Sequence, residues 1–333
     1  MNLQAEPLIT VTSRGLYCPP GDFYIDPWQP VQTAVITHGH GDHLRQGSAR
    51  YILARPGLGV ASHRLGSGHE IAAVDYGAPL SLGGARISLH PAGHILGSAQ
   101  VRIESGGQTW VVSGDYKRQP DPTCASFEPV ECDVFISEAT FALPIYRWPS
   151  TPQVVEEIAR WWQANRERGI ASVLFCYALG KAQRVLSELR AFTNETVYLH
   201  GAVESLTAVY RRAGVEMVPT SSATTERKTD YRGALIIAPP SAAGTTWMRR
   251  FGEHSTGFCS GWMRVRGDRR RRGYDRGFVI SDHADWPALW DTCIQSRARK
   301  VLLTHGYSDA LTRYLNERGV ESAALATAYG AEE

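Results

Sequence analysis

Apolar residues along the first third of the chain fall in short, β-branched bursts that end near Gly, His or Asp. Residues 31–37 (VQTAVIT) form a compact run that predicts a buried strand. Residues 85–89, 100–103, 109–113 and 134–137 read alike, and Ser105-Gly106-Gly107 predicts a hairpin turn between two of them. From residue 150 the period lengthens to that of a helix. Val154, Val155, Ile158, Trp161 and Trp162 recur at helical spacing. Ser150 predicts the N-cap, Gln153 its capping-box partner, Pro152 the first turn and Gly169 the end. A strand at 170–176, a helix at 181–192, a strand at 197–199, a helix at 203–212 and a strand at 235–238 follow. This β-α alternation predicts a small parallel α/β domain. The chain then returns to strands at 278–281 and 300–304, and a helix at 309–318.

The 333 residues suffice for two domains and a sizeable core, and 43% apolar content excludes general disorder. A net charge of +2 argues against a protein that coats nucleic acid by bulk charge, while leaving local patches open. Neither a signal peptide nor a run of membrane-spanning length is read from the sequence. The six cysteines (Cys18, Cys124, Cys132, Cys176, Cys259, Cys293) form no C-x-x-C pair. They read as reduced thiols of a cytoplasmic protein.

The histidines carry more information, because they cluster. Thr37-His38-Gly39-His40-Gly41-Asp42-His43 follows directly on the run at 31–37. Four metal-competent side chains with glycine spacers at a strand end can fold back on one point. Imidazole nitrogen and carboxylate oxygen suit zinc, or manganese. Three histidines and an aspartate packed this closely are hard to explain without a cation.

The H-x-H-x-D-H string resembles that of the metallo-β-lactamase superfamily. Its other landmarks occur in the family's order: Asp26 on an early strand, His94 in Ala92-Gly93-His94, Asp115 in Ser113-Gly114-Asp115, and His305 in Leu303-Thr304-His305-Gly306. The separation of 190 positions from Asp115 to His305 leaves room for an insertion, similar to the inserted domain of the β-CASP nucleases. Ser137-Glu138-Ala139-Thr140 resembles that branch's acidic motif, and Ser281-Asp282-His283-Ala284-Asp285 its histidine motif. The segment from Phe175 to Gln183 resembles the strand-to-helix turn of the inserted domain. The phrases GHILGSAQ, SGDYKR and SDHAD are similar to those of the bacterial DNA-ligase-associated exonuclease group. The resemblance implies an α/β fold: a metallo-β-lactamase αββα sandwich (residues 1–143 and 280–333) interrupted by a β-CASP α/β domain (residues 144–279). It also implies a metal-dependent nuclease acting on DNA in repair, with functional association to a DNA ligase and a helicase. A histidine at the position of His305 is commoner among RNA-processing members, so RNA is the alternative substrate.

Phosphodiester hydrolysis needs an attacking hydroxide, charge neutralisation on the phosphate and a proton for the leaving oxygen. Two divalent ions, zinc or manganese, meet the first two needs. By resemblance His38, His40 and His94 would hold one, Asp42, His43 and His305 the other, and Asp115 would bridge them. Asp26 would fix a ligand histidine's tautomer. Glu138 and His283 would form the acid pair that protonates the leaving oxygen. His63, His69, His90, His200 and His254 match no motif and read as structural.

For substrate contact, Arg264, Arg266, Arg269, Arg270, Arg271, Arg272 and Arg276 stand against only Asp268 and Asp275. This strip reads as a phosphate-gripping loop that the modest net charge conceals. Lys117, Arg118 and Ser98 read as further phosphate contacts, and Trp247, Phe251 and Trp262 as stacking or packing rings. Lys181 follows a glycine, but no nucleotide-triphosphate loop motif is present. A small-molecule hydrolase, such as a thioesterase, fits the long insertion and the arginines less well. A scaffold role does not need every ligand position filled. Oxygen-reducing relatives usually carry Glu where this chain has His40.

Overall fold

The computed structural model describes residues 6–223, 230–265 and 273–327. Contacts divide the chain into two units. One comprises the residues up to Pro120, Cys124–Ile145 and those from His283 onward. The other comprises Asp121–Thr123 and Tyr146–Asp282.

In the first unit, β1 (Thr10–Thr12), β2 (Gly15–Cys18), β3 (Phe23–Ile25), β4 (Thr33–Val35), β5 (Arg50–Ala54) and β6 (Glu70–Val74) form one sheet in sequence order. Helix α1 (Leu58–Leu65) joins β5 to β6. β7 (Leu80–Leu82), β8 (Ala85–Pro91), β9 (Ala99–Ser105), β10 (Gln108–Val112) and β11 (Val134–Ala139) begin a second sheet.

The second unit follows as α2 (Thr151–Glu167), β12 (Ala171–Phe175), α3 (Lys181–Glu188), β13 (Val197–Leu199), α4 (Gly201–Arg212), β14 (Thr220–Ser222), β15 (Leu235–Ala238), β16 (His254–Cys259) and β17 (Arg276–Phe278). Its sheet has the order β14-β13-β15-β12-β16-β17, and every pairing is parallel. Such a sheet is buried on both faces. Val154, Ile158, Val185, Leu186 and Leu174 close one side, and Phe175, Ile236, Phe251 and Phe258 the other.

The chain ends in α5 (Trp286–Gln295), β18 (Lys300–Gly306), α6 (Ser308–Asn316) and β19 (Glu321–Ala324). β18 pairs parallel with β11, giving the second sheet the order β19-β18-β11-β10-β9-β8-β7.

Strand alternation explains the layering of the first unit. Leu16, Cys18, Phe23, Ile25 and Ile52 of the first sheet pack with Ile87, Leu89, Val101, Ile103 and Val112 of the second. The opposite face of the second sheet (Val111, Phe135, Val301, Leu303) is covered by Trp286, Leu289 and Cys293 of α5 and Leu311 and Leu315 of α6. Ala61 and Leu65 of α1 pack with Ala34, Ile36, Tyr51 and Leu53 on the outer face of the first sheet. The result is an αββα sandwich.

Local corrections are instructive. Ser150 stands at the N-cap of α2, but its side chain makes no capping hydrogen bond. A capping glutamine occurs instead on α3, where Gln183 Oε1 accepts the N–H of Gly180 at 2.8 Å. The run at 31–37 is strand only over Thr33–Val35. Its last residues turn out of the sheet and lead into the His-rich loop. No helix among the described residues is long and apolar enough to cross a membrane.

Candidate metal centre

The His-rich loop leaves the C-terminal end of β4, and the other candidate ligands arrive from neighbouring strand ends. His94 follows β8, Asp115 follows β10, Glu138 lies in β11 and His305 lies in β18. Parallel pairing of β10, β11 and β18 brings three of these ends to one edge.

Asp115 is the centre. Its carboxylate lies 3.5 Å from Nε2 of both His38 and His43, 3.9 Å from His94 Nε2 and 3.4 Å from His305 Nε2. His40 Nδ1 is 3.0 Å from His94 Nε2, and His43 Nε2 is 3.3 Å from Asp42 Oδ2. Donor atoms of His38, His40, His94 and Asp115 all lie within 4.8 Å of one another. Asp115, Glu138 and His283 form a second such group.

Electrostatics suit a cation. Burial, then the neighbouring His43, holds His38 well below the usual histidine range, so its ring is neutral with a lone pair to offer. Burial opposes the charge of Asp115, yet His43, His283 and His305 outweigh it and keep the carboxyl well below its ordinary value. Burial likewise opposes the charge of His43, but Asp115 and Asp26 hold its pKa well above the usual range. Buried His38 Nε2 and Asp42 Oδ1 have no hydrogen-bond partner. Buried polar atoms of native proteins are normally paired, so donors left over in a nest of imidazoles and carboxylates fit a divalent metal.

A supporting layer surrounds these atoms. Asp26 accepts from the backbone N–H of Thr37 and from its hydroxyl, and contacts His43 Nδ1 at 2.7 Å. Thr37 Oγ1 also lies 3.0 Å from His38 Nδ1, and Thr304 Oγ1 lies 2.9 Å from His305 Nδ1. Glu138 accepts from Tyr116 N at 2.7 Å and Thr140 Oγ1 at 2.6 Å, and meets His283 Nδ1 at 2.8 Å. Asp26 (φ 43°) and His305 (φ 22°) sit in the left-handed region, as strained residues at functional sites often do. A Cβ on Gly114 would lie 2.6 Å from Thr37 Cβ, so only glycine fits beside Asp115.

Sequence reasoning did not pick out the two threonines. The repeated Thr-His pair at 37–38 and 304–305 was the available signal. Nor did it reveal the buried charges of the second unit. Arg184 Nε lies 3.6 Å from Asp121 and its Nη1 3.6 Å from Asp282, while Lys181 Nζ lies 3.8 Å from Asp282. Arg184 also donates to Ser281 O at 2.9 Å.

Two expected phosphate contacts are corrected. Lys117 is buried and donates to His94 O at 3.3 Å, so its charge braces the ligand loop. Ser98 is buried, and its hydroxyl accepts from His94 N and Ile95 N at 3.0 and 3.2 Å. It shapes the same turn and has no surface to offer a substrate. Arg118 donates to Thr292 and Gln295. Arg264 is exposed, whereas Arg266, Arg269, Arg270, Arg271 and Arg272 lie outside the described residues. Trp247, Phe251 and Trp262 pack against an apolar cluster. Among the unmatched histidines, His200 caps α4 by accepting from Ala202 N, and His90 meets Glu128.

An αββα sandwich with histidines and aspartates gathered at its strand ends defines the metallo-β-lactamase class. No family model matches the sequence. The chain is 31% identical over 326 residues to an Opitutus terrae protein described as "Probable DNA ligase", covering 94% of this chain and 30% of that one. It is 33% identical over 122 residues to Endoribonuclease YSH1 of Gibberella zeae (35% of this chain, 14% of the relative). It is 31% identical over 121 residues to that of Saccharomyces cerevisiae (35% and 15%). The chain thus spans under a third of the length of these relatives. A crystal structure of an Enterococcus faecalis protein of unknown function shares the fold at TM-score 0.61 and 12% identity, over 90% of this chain and 80% of that one. In its sandwich fold, the order of its candidate ligands and these partial likenesses, the chain is similar to the β-CASP branch of the metallo-β-lactamase superfamily.

Proposed function

We propose that this protein is a metal-dependent nuclease that hydrolyses DNA phosphodiester bonds, with the second unit as its inserted β-CASP domain. The convergence of four histidines on the buried carboxylate of Asp115 carries the reading. His38, His40 and His94 would hold one divalent cation, Asp42, His43 and His305 a second, and Asp115 would be shared. When bound, such ions polarise a phosphate oxygen and lower the pKa of water. Asp26 orients His43 and, through Thr37, His38. Glu138 holds His283 by Nδ1, which directs Nε2 as the proton donor to the leaving oxygen. The likeness of 94% of this chain to 30% of a ligase-named protein supports DNA and a repair setting with a ligase, and a helicase, as functional associates.

RNA is the second reading, favoured by the endoribonuclease relatives and by His305. End-labelled single- and double-stranded DNA and RNA, digested with zinc, manganese or magnesium, separate the two. Wild type should cut DNA only with added metal, and Asp42→Ala should lose at least about a hundredfold in rate. Preferential RNA cleavage would transfer the assignment to the second reading. Metal-independent cleavage would overturn both.

A further inference from the structure

A groove of about 680 Å3 lies wholly within the second unit, between α2 and the β16–β17 edge of its sheet. None of its lining residues belongs to the candidate metal centre. Glu157, Arg160 and Trp161 of α2, with Arg168 at its C-cap, recur at helical spacing and line one wall. Asp275 and Arg276, at the start of β17, line the other with Ser255 of β16. Arg160, Arg168 and Arg276 are all exposed. The partner of Arg160, Glu156, is 3.8 Å away on the same helix face, a solvent-screened pair of small worth.

The charged side chains that line the groove are unequal in number: three arginines and two carboxylates. Asp275 accepts from Thr256 N at 2.7 Å, from Thr256 Oγ1 at 3.0 Å and from Ser255 Oγ at 3.4 Å. All three bonds fall on Oδ2 and fix the carboxylate at the turn, so the lining sets three guanidiniums against the two carboxylates of Glu157 and Asp275, a net +1. Trp161 is 8% exposed, meets Phe278 at 5.5 Å and donates to Ser255 Oγ at 3.2 Å. Its indole is a wall of the groove and offers no open face to a base. Fork-shaped donors without a stacking platform suit phosphate oxygens better than stacked bases.

We infer that Arg160, Arg168 and Arg276 form a secondary site for the sugar–phosphate backbone of single-stranded nucleic acid, indifferent to base sequence. The inference rests on the nuclease reading, since a nuclease substrate is a polyanion that extends well beyond the scissile bond. In sequence, Arg276 also ends the chain's densest run of arginine.

The test is fluorescence anisotropy of a labelled 20-nucleotide oligothymidine, with Asp42→Ala as the background so that the strand survives. Adding Arg160→Ala, Arg168→Ala and Arg276→Ala together should weaken binding about tenfold or more at 0.1 M salt. The slope of log affinity against log salt should fall by about 2, as expected for three lost contacts on a single strand. Glu157→Gln should tighten binding. Oligonucleotides of different sequence should respond alike. Unchanged affinity and salt slope in the triple variant would overturn the site. So would competition by millimolar inorganic phosphate that titrates the groove while polynucleotide binding stays unchanged. Wild-type hydrolysis of bis(p-nitrophenyl) phosphate reports on the metal centre separately. Its absence would count against the nuclease reading and leave the binding result standing.

Discussion

At the scale of single residues, the site is a matter of which atom faces which. His283 shows this best: its Nδ1 is taken by Glu138, and Glu138 is itself fixed by Tyr116 N and Thr140 Oγ1. His283→Ala should therefore lower turnover by about 10²–10⁴-fold while the purified protein keeps its metal, measured by elemental analysis beside initial rates. Loss of metal along with activity would make His283 a ligand, as its grouping with Asp115 and Glu138 also permits. A second residue-scale effect concerns pH. Burial pushes the Cys293 thiol from an ordinary 9.0 up to about 12, against a smaller opposing hydrogen bond to Ser137. The folded state therefore favours the protonated thiol. That contribution is full below pH 9 and is lost as pH rises from 9 towards 12. Melting temperature should fall across this window, and Cys293→Ala should flatten the fall. An equally steep fall in the variant would assign it to other groups.

At the scale of elements, turns and helix–strand junctions aim the side chains. Gly306, directly after His305, has φ 79°, and a Cβ there would lie 2.2 Å from Ala139 O. The β11–β18 register shifts at this point. Gly306→Ala should cost at least about 2 kcal/mol in chemical denaturation, from left-handed strain and the clash together. In the second unit, α3 brings Arg184 to Asp121 and Asp282, whose side chains are 4% and 5% exposed. Arg184→Met would take one buried cation from both carboxylates and leave Lys181 beside Asp282, so a loss of about 3 kcal/mol is expected. A variant as stable as wild type would show that the pairs are not energetically coupled. Much at this level was readable beforehand. The strands at 197–199 and 235–238 and the start of α3 coincide with the pattern. The absent side-chain cap at Ser150 was not readable, because capping depends on a rotamer that the sequence does not specify.

At the scale of the whole molecule, the candidate centre assembles from His38 to His305, far apart in sequence and joined by strand pairing. Folding of the first unit and metal binding must then be linked, because an unfolded chain cannot bring these ligands together. Zinc or manganese at about a hundred times Kd should add about 2.7 kcal/mol to stability, and EDTA should reverse the gain. This would be read as a rise of several degrees in the melting temperature of the metal-free protein. No rise with either ion would remove the metal from the account.

The sequence by itself determined the ligand types and their order, because imidazole–carboxylate chemistry and the Gly-spaced loop are local properties. It determined the change from short strands to β-α alternation for the same reason: periodicity is local. Only tertiary structure decided which polar residues reach solvent. Lys117 and Ser98 look like substrate contacts in a motif, yet sheet packing buries both behind His94 and turns them into its supports. Tertiary structure also set three arginines from α2, its C-cap and β17 around one groove, which no spacing along the chain could reveal. Burial and long-range juxtaposition depend on how sheets and helices stack, and that is a property of the folded chain alone.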